Sequence, residues 1–421
     1  MKAVQKILID IGSSTLKVYE VFEIGSPKLA ITRSVPFKQN FDPEKGISEQ
    51  NKKELFELLS EVKSKYKNLP VKLYATALYR KMSDTVKKSF LDEVFGRTGL
   101  YFNIISQELE SFYLQVALTG KYQNSKEPLL LINIGGGSTE LVVMFGKEAI
   151  ETKNVDLGVG TILTEFTNIN DSVSGVDLGK VMKFIDSKLP ALDNKVKIAF
   201  YSGGELNYMQ LADYGLMKNN LFDDKDHPSY ITLKDFSKRN ELVFSKTTLE
   251  ELEKLMPDNP TWMHGARACS AIAQSICNKY GIETVIPSNS NLVDGVARQG
   301  FRYVTLSGSF RKHLDFILKI RKELVDKNVQ VLSPRFIEPK NPGEEFVVFT
   351  GEEGLTPLQL ERHHLESIEK SDALIVCDPE GYVGASALIE IGYAQSLGKR
   401  IIFVEKPEEF MLQTLPSEIG L

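Results

Sequence analysis

The chain has 421 residues, of which 42% are hydrophobic and 25% are charged. This length is too great for one ordinary domain, and the composition is that of a globular protein with sizeable cores. A formal net charge of -5 argues against general coating of nucleic acid. Any polyanionic ligand must therefore be met by local backbone N–H groups and a few placed cations.

The cysteines and histidines indicate the compartment of the protein and argue against a histidine metal site. Cys269, Cys277 and Cys377 have no CxxC spacing, which indicates a reducing compartment. The amino end lacks the pattern of a signal peptide, and no apolar run approaches the ~20 residues that a membrane span needs. We expect a cytoplasmic protein without a membrane anchor. His363 and His364 lie in a charged stretch and are interpreted as part of a solvated face rather than as metal ligands.

A strand, a turn of small residues and a returning strand occur twice in the first 150 residues. The first turn contains Gly12, Ser13 and Ser14, and the second runs from Gly135 to Ser138. Hydrophobic periodicity predicts strands at 5–11, 16–21, 71–75, 128–134 and 140–145, and helices at 50–67 and 84–97. This spaced duplication predicts two like halves that face a cleft.

Both turns have the composition of an anion site. Backbone N–H groups in glycine-rich turns can converge on a phosphate, because no Cβ blocks the approach. One such turn alone would also suit an ordinary hairpin. Asp10 and Asn133 stand at the ends of the two leading strands, where an oxygen ligand can hold a hydrated divalent cation.

The pattern changes near residue 300. Before it, a strand at about 197–202 leads into Ser202-Gly203, and residues 262–280 predict a buried helix. After it, helices and strands alternate as far as residue 404, with strands at 303–306, 329–332, 373–377 and 400–404 and helices up to 327, at 357–370 and at 385–397. This alternation predicts a separate, doubly wound, mostly parallel α/β domain.

Residues 5–300 resemble the Ppx/GppA family of exopolyphosphatases and guanosine pentaphosphate phosphohydrolases, which have the actin-like (ribonuclease H-like) fold. The motif from Ile134 to Val142 is nearly identical to the family's second phosphate loop, and residues 9–13 are similar to its first. Ala75-Thr76-Ala77-Leu78-Tyr79-Arg80 and Ile104-Ile105-Ser106-Gln107-Glu108-Leu109-Glu110 resemble the arginine and catalytic-glutamate segments. Ser202-Gly203 and Asp294-Gly295 match two weaker motifs, in family order.

The resemblance implies hydrolysis of a terminal phosphoanhydride with Mg²⁺ as the cofactor. Glu110 would activate the attacking water, and Asp10, Asn133 and Glu140 would hold the metal ion. Phosphate would be bound by Gly12, Ser13, Ser14, Arg80, Gly135, Gly136, Gly137, Ser138, Thr139, Ser202 and Gly203. The alternatives are that Glu110 is a solvated helix carboxylate and that Arg80 is a surface cation.

The chain departs from the family pattern in its second loop. The family has aspartate where Asn133 stands, so a negative charge beside the metal is lost, although the amide oxygen can still bind the ion or its water. Ser14 replaces an asparagine, and Val293 replaces an arginine. The helical domain with which long exopolyphosphatases grip extended chains is absent. A site that only senses its ligand is therefore an alternative to an enzyme.

Residues 303–405 resemble nucleoside 2-deoxyribosyltransferases and deoxynucleoside 5'-monophosphate N-glycosidases. Ser307-Gly308-Ser309-Phe310-Arg311 is similar to their opening loop, and residues 384–394 are similar to their catalytic helix. By this resemblance Glu390 is the nucleophile and Asp372 its proton-handling partner. The nucleotide site would comprise Gly308, Ser309, Arg311, Asp372, Gly384, Ser386 and Glu390. The alternative for Glu390 is a role in helix capping.

We therefore predict three domains: an actin-like half I at 1–122, an actin-like half II at 123–300 and a deoxyribosyltransferase-like domain at 301–421. The leading function is Mg²⁺-dependent hydrolysis of polyphosphate or of a nucleotide polyphosphate. A fused nucleotide-binding domain slightly favours pppGpp. The alternatives are glycosyl chemistry at Glu390 with the amino-terminal cleft as regulator, and a non-catalytic phosphate or nucleotide sensor. A homodimer is left open.

Overall fold

The computed structural model describes residues 3–13, 15–23, 25–119, 127–146, 148–203, 205–221, 226–257, 259–341, 344 and 347–421. The chain forms two compact units. The first unit comprises residues 1–11, 15–109 and 299–421, and the second comprises residues 12–14 and 110–298. The carboxy-terminal segment therefore shares a unit with most of the first hundred residues.

Strands and helices alternate along most of the chain. The strands are β1 Val4–Ile11, β2 Thr15–Phe22, β3 Lys28–Ser34, β4 Val71–Ala75, β5 Phe102–Ile104, β6 Leu129–Ile134, β7 Thr139–Phe145, β8 Glu148–Val155, β9 Ile198–Ser202, β10 Met217–Lys218, β11 Ser229–Thr232, β12 Thr284–Pro287, β13 Tyr303–Gly308, β14 Gln330–Ser333, β15 Ala373–Cys377, β16 Arg400–Phe403 and β17 Glu418–Ile419. The helices are α1 Glu49–Lys65, α2 Ala77–Arg80, α3 Asp84–Thr98, α4 Gln107–Thr119, α5 Val159–Glu165, α6 Leu178–Asp186, α7 Glu205–Leu211, α8 Leu233–Ser245, α9 Leu249–Lys254, α10 Ala266–Tyr280, α11 Leu292–Arg298, α12 Phe310–Asp326, α13 Pro357–Lys370, α14 Ala385–Ser396 and α15 Phe410–Thr414.

The first unit contains two five-stranded sheets. One has the order β3-β2-β1-β4-β5, with β1, β2 and β3 antiparallel and β4 and β5 parallel to β1. Ile7, Ile9 and Ile11 recur with the period of two that a strand requires, and they belong to the core that this sheet forms with α1 and α3. The helix α1 starts at Ser48, whose hydroxyl accepts a bond from the Asn51 amide.

The carboxy-terminal sheet of the first unit is parallel throughout. Its order is β14-β13-β15-β16-β17, which is the order 2-1-3-4-5 of doubly wound α/β folds. Ile317, Ile320 and Leu324 of α12 join the core on one face of the sheet. Ile368 of α13 and Ile391 of α14 join a separate core that contains alternate residues of β15 and β16. Helices therefore cover both faces.

A buried ion cluster ties the two sheets of the first unit together. The Arg400 guanidinium donates to Glu418, with Nη2 2.9 Å from Oε2, and Lys72 Nζ lies 3.3 Å from the same carboxylate oxygen. Burial alone would raise the pKa of Glu418, but Arg400 and Lys72 outweigh it and lower the pKa. Because Lys72 belongs to β4, this cluster pins the carboxy-terminal strand β17 to the amino-terminal sheet.

The second unit is built on one seven-stranded mixed sheet in the order β10-β11-β12-β9-β6-β7-β8. The strands β6, β7 and β8 form an antiparallel meander, and β9 lies parallel to β6. Leu114 and Leu118 of α4 pack with Leu129, Leu131 and Val142 on one face. The helix α10 belongs to the large core on the other face, and its two cysteines, Cys269 and Cys277, are buried and free.

We predict that Glu418→Gln lowers the free energy of unfolding of the first unit by about 3 to 5 kcal/mol, because it leaves two buried cations without their anion. Since the pKa of Glu418 is lowered in the folded protein, its contribution is present above the unfolded pKa and is lost as the pH falls through the folded value. Urea unfolding from pH 7 down to pH 3 measures both effects.

The exposed Glu323 on α12 provides the matched control, because Glu323→Gln makes the same chemical change without a buried partner. Equal unfolding curves for the two variants at pH 7 would contradict the assigned role of Glu418.

Candidate functional site

The second glycine turn connects β6 and β7 in a tight hairpin. Asn133 pairs with Glu140 and Ile134 pairs with Thr139 in the antiparallel register, and the Gly135 amide donates to the Ser138 carbonyl at 2.8 Å. The turn therefore occupies residues 135–138, as the sequence predicts, and the side chains of residues 133 and 140 lie on the same face of the hairpin.

A hydrogen-bonded network surrounds the Glu140 carboxylate, which is 1% exposed. Asn133 Nδ2 donates to Oε2 at 2.9 Å, and the Ser138 hydroxyl donates to Oε1 at 2.8 Å. Ser202 lies beside Asn133 in the parallel β6–β9 register, and its hydroxyl donates to Asn133 Oδ1 at 3.2 Å. The structure thus brings together four predicted site residues in the second unit.

At position 133 this network has the amide of Asn133, a hydrogen-bond donor, where the family pattern has a charged aspartate. An aspartate at position 133 would bring a second carboxylate against Glu140, and like charges at this distance require a cation or a proton between them. The Asn133 amide satisfies the same carboxylate with an N–H group. The polar side chains of the network offer oxygen atoms, which are the ligands that Mg²⁺ prefers. Both Glu140 oxygens already accept hydrogen bonds, so contact through metal-bound water suits the network best.

In the part of the chain that the structure describes, no three His, Cys, Asp or Glu side chains come together as a metal cluster.

Gly158 is a residue of this site that the sequence reading missed. A Cβ at Gly158 would lie 2.5 Å from the Gly135 carbonyl oxygen and 2.5 Å from the Gly137 nitrogen. The amides of Val159 and Gly160 donate to the carbonyls of Gly135 and Gly136 at 3.0 and 2.8 Å. The start of α5 therefore holds the glycine turn in shape. The sequence signal was Gly158-Val159-Gly160, a second glycine pair that lies far from the turn along the chain.

The helix α4 carries Glu110, which is partly buried. Its packing partner is α11, where Gly295 lies so close that a Cβ would be 1.9 Å from the Tyr113 carbonyl oxygen. Any side chain at position 295 would therefore displace α4. The Asp294 carboxylate accepts a bond from the Asn291 amide at 2.9 Å and so caps the start of α11. The match at Asp294-Gly295 thus has a structural reason within the second unit.

Asp10 and Arg80 lie in the first unit. Asp10 is opposite Lys17 in the β1–β2 register, and burial raises the pKa of Asp10 while Lys17 opposes that shift. The helix α2 ends at Arg80, and Arg80 Nη1 donates to the Ile105 carbonyl at 3.0 Å. Gly12 and Ser13 follow β1, whereas Ser14 lies outside the described residues.

A cavity of about 450 Å³ lies at the carboxyl ends of β13 and β14, where ligands bind in open α/β sheets. Its wall includes the start of α12, the start of α14 and the inner face of α13. The predicted residues Gly308, Ser309, Arg311, Gly384, Ser386 and Glu390 all line it. Gly308 has φ +154, and a Cβ there would lie 2.8 Å from the Cys377 carbonyl oxygen.

Asp372 does not line this cavity. It precedes β15 at the amino end of the sheet, and its Oδ2 accepts bonds of 2.8 Å from the amides of both Arg302 and Tyr303. A residue that leads into a parallel strand lies at the edge opposite the ligand crevice. The structure therefore gives Asp372 a place in anchoring β13 rather than beside Glu390.

His364 lines the cavity instead, which corrects the interpretation of His364 as part of a solvated face. Its side chain is 11% exposed, and Nε2 lies 3.2 Å from Glu390 Oε2. Burial by itself lowers the pKa of His364, but Glu390, Glu361 and Glu352 outweigh it and raise the pKa. His363, one residue earlier on α13, is exposed as predicted.

Within the ranges described, no helix combines the length and apolar character that crossing a lipid bilayer requires.

Residues 3–299 match the family model described as the Ppx/GppA phosphatase family. The type II variant of the Aquifex aeolicus Ppx/GppA phosphatase is similar at 19% identity and a TM-score of 0.54, over 70% of this chain and 98% of that one. An exopolyphosphatase from Cytophaga hutchinsonii is similar at 15% identity and a TM-score of 0.55, over 69% of this chain and 95% of that one. At such low identities, these TM-scores show a shared fold and nothing more. Among curated proteins there is no match.

We predict that Asn133→Asp destabilises the second unit in metal-free buffer by about 1 to 3 kcal/mol, because Glu140 loses a donor and gains a neighbouring charge. Added Mg²⁺ should restore the stability by binding between the two carboxylates. Thermal unfolding with EDTA and with excess Mg²⁺ measures this. Asn278→Asp, on an exposed residue of α10, should leave unfolding insensitive to Mg²⁺. Mg²⁺-independent stability of Asn133→Asp would contradict the interpretation of the network.

Proposed function

The chain belongs to the Ppx/GppA phosphatase family and is a hydrolase of phosphoanhydrides, and we propose that it removes the terminal phosphate of inorganic polyphosphate or of a nucleotide polyphosphate such as pppGpp. The observation that carries this proposal is the glycine turn 135–138, held by the start of α5 and followed by the clamped Glu140. A preorganised turn of this kind suits an oxyanion, because its N–H groups need no rearrangement when a phosphate binds.

In this proposal the chain positions the phosphate and the water, because phosphoryl transfer depends mainly on placement and charge neutralisation. Gly135, Gly136, Gly137, Ser138 and Thr139, with Ser202 and Gly203, bind phosphoryl oxygens, as do Gly12, Ser13, Ser14 and Arg80. Glu110 orients the attacking water and accepts its proton. The rigid support of α4 by Gly295 favours such a role for Glu110, since a base must be held within hydrogen-bond reach of its water.

We also propose that Asp10, Asn133 and Glu140 hold Mg²⁺. The ion, when bound, neutralises charge on the phosphoryl oxygens. One support is the set of side-chain oxygens in the Asn133 network. The other is Asp10: burial raises its pKa, and a nearby cation would stabilise its charged form.

The cavity at Glu390 favours a nucleotide over long polyphosphate as the natural substrate. The three-domain division at 1–122, 123–300 and 301–421 and the deoxyribosyltransferase-like character of the last part belong to this proposal. Arg311 and the amino end of α14 can hold a 5'-phosphate, while Phe310 and Phe349 give the cavity an apolar side. A chain with one site for phosphoanhydrides and one for nucleotides suits pppGpp.

The same cavity supports a second candidate function, which is N-glycosidase or deoxyribosyltransferase chemistry. Glu390 is 4% exposed and projects into the cavity from the second turn of α14. As a nucleophile it would attack the anomeric carbon, break the N-glycosidic bond and leave a glycosyl ester that water or a second base resolves. In this alternative the amino-terminal site regulates the glycosyl chemistry at Glu390. A non-catalytic sensor is the remaining candidate.

One crossed experiment separates these functions. Purified wild type, Glu110→Gln and Glu390→Gln are assayed for phosphate release from polyphosphate and pppGpp, and for base release from deoxynucleoside 5'-monophosphates. We predict that Glu110→Gln lowers kcat for phosphate release by about 100-fold or more, because the water loses its base. Glu390→Gln should release phosphate at the wild-type rate.

The exposed Glu108, on the first turn of the same helix, gives the matched control, and Glu108→Gln should stay within about twofold of wild type. Base release that only Glu390→Gln abolishes would support the second candidate. Nucleotide binding without release of phosphate or base would establish the sensor and contradict hydrolysis.

A further inference from the structure

Three polar atoms in one cavity have no hydrogen-bond partner among the described residues. They are Glu390 Oε2, His364 Nε2 and Glu361 Oε1. All three residues line the cavity at Glu390, and α13 and α14 contribute them. A buried polar group without a partner costs free energy. Two of these atoms, His364 Nε2 and Glu390 Oε2, lie 3.2 Å apart and can pair with each other, which leaves Glu361 Oε1 for a ligand to satisfy.

His364 is held on its other side. Its Nδ1 lies 2.7 Å from the Ser333 hydroxyl, and its Nε2 lies 3.2 Å from Glu390 Oε2 without the alignment of a hydrogen bond. When Ser333 donates to Nδ1, the proton of the neutral ring resides on Nε2 and faces the carboxylate. When the ring is an imidazolium, both nitrogens carry protons and Nδ1 donates to Ser333. In either state a proton lies between the ring and Glu390.

The charges around this imidazole come from every wall of the cavity. Glu361 lies one turn earlier on α13, Glu352 precedes that helix, and Glu390 faces it from α14. Arg311 on α12 supplies the cation of the opposite wall, and Tyr382 adds a phenol. Among the described lining residues, three carboxylates and one guanidinium leave the cavity more negative when His364 is neutral than when it is protonated. A dianionic nucleoside 5'-monophosphate meets the stronger repulsion when His364 is neutral.

We propose that His364 is a positioning residue and the proton switch of this cavity: as an imidazolium it pairs with Glu390 and removes one negative charge, and the cavity then admits a nucleoside 5'-monophosphate. The nucleotide part rests on the proposed function of the cavity, whereas the His364–Glu390 pair does not. Glu390 and the phosphate of the ligand would both favour the protonated ring. Binding therefore takes up protons, and affinity falls as His364 deprotonates.

The pair is tested by NMR titration of the histidine side chains in the full-length chain, which has five histidines. His364→Asn identifies the His364 signal by its loss. In wild type the pKa of His364 should be higher than in Glu390→Gln by about one unit, because the variant removes the first carboxylate that raises it. His363→Asn, on the exposed neighbour, should leave this titration unchanged. An equal pKa in wild type and Glu390→Gln would overturn the pair.

The switch is tested by calorimetry with dGMP between pH 6 and pH 9 in two buffers of different ionisation enthalpy. Wild type and His363→Asn should take up protons on binding and lose about tenfold in affinity as His364 deprotonates. His364→Asn should bind with a nearly constant affinity. A wild-type affinity that does not change with pH would overturn the switch.

The two experiments distinguish the failures. If dGMP does not bind to wild type although the His364 titration depends on Glu390, the nucleotide assignment fails and the pair stands. If dGMP binds and His364 titrates independently of Glu390, the cavity assignment stands and the pair fails.

Discussion

Three carboxylates that this fold removes from water each face a donor or a cation. Glu140 accepts from Asn133 and Ser138, Glu418 is paired with Arg400 and Lys72, and Glu390 faces His364. Desolvation of an unpaired carboxylate is far more costly than the modest net gain of an ordinary hydrogen bond. The partners therefore fix where these side chains lie, and the three clusters mark the glycine turn 135–138, the junction of two sheets and the cavity.

At the glycine turn, backbone and side chains share this constraint. Gly158 allows the start of α5 to approach the glycine turn, and the amides of Val159 and Gly160 then hold the turn by bonds to its carbonyls. With the turn fixed, the Asn133–Glu140 pair of the hairpin has a single register. The substitution of a carboxylate by an amide at position 133 changes charge by one unit and leaves this geometry satisfied.

Sequence periodicity accounted for the local structure and less well for the contacts between distant segments. The two hairpins follow from alternating apolar residues around small-residue turns, and the family motif marked the glycine turn at 135–138. Gly158 was missed because its role depends on a contact across more than twenty residues of chain. His364 was misread because Arg362, His363 and Glu366 beside it on α13 are exposed, whereas His364 faces α14. Asp372 was assigned to the cavity by family resemblance, although a residue that leads into a parallel strand lies at the edge away from the ligand crevice.

The most direct test of the central claim is the fate of solvent oxygen during turnover. Hydrolysis of the terminal phosphoanhydride requires water to attack the terminal phosphorus, so pppGpp or polyphosphate hydrolysed in H₂¹⁸O should yield inorganic phosphate with one solvent-derived ¹⁸O atom per molecule. Mass spectrometry of the released phosphate measures the label. Phosphate that carries no ¹⁸O, or the absence of phosphate release under conditions in which the substrate binds, would contradict hydrolysis at this site.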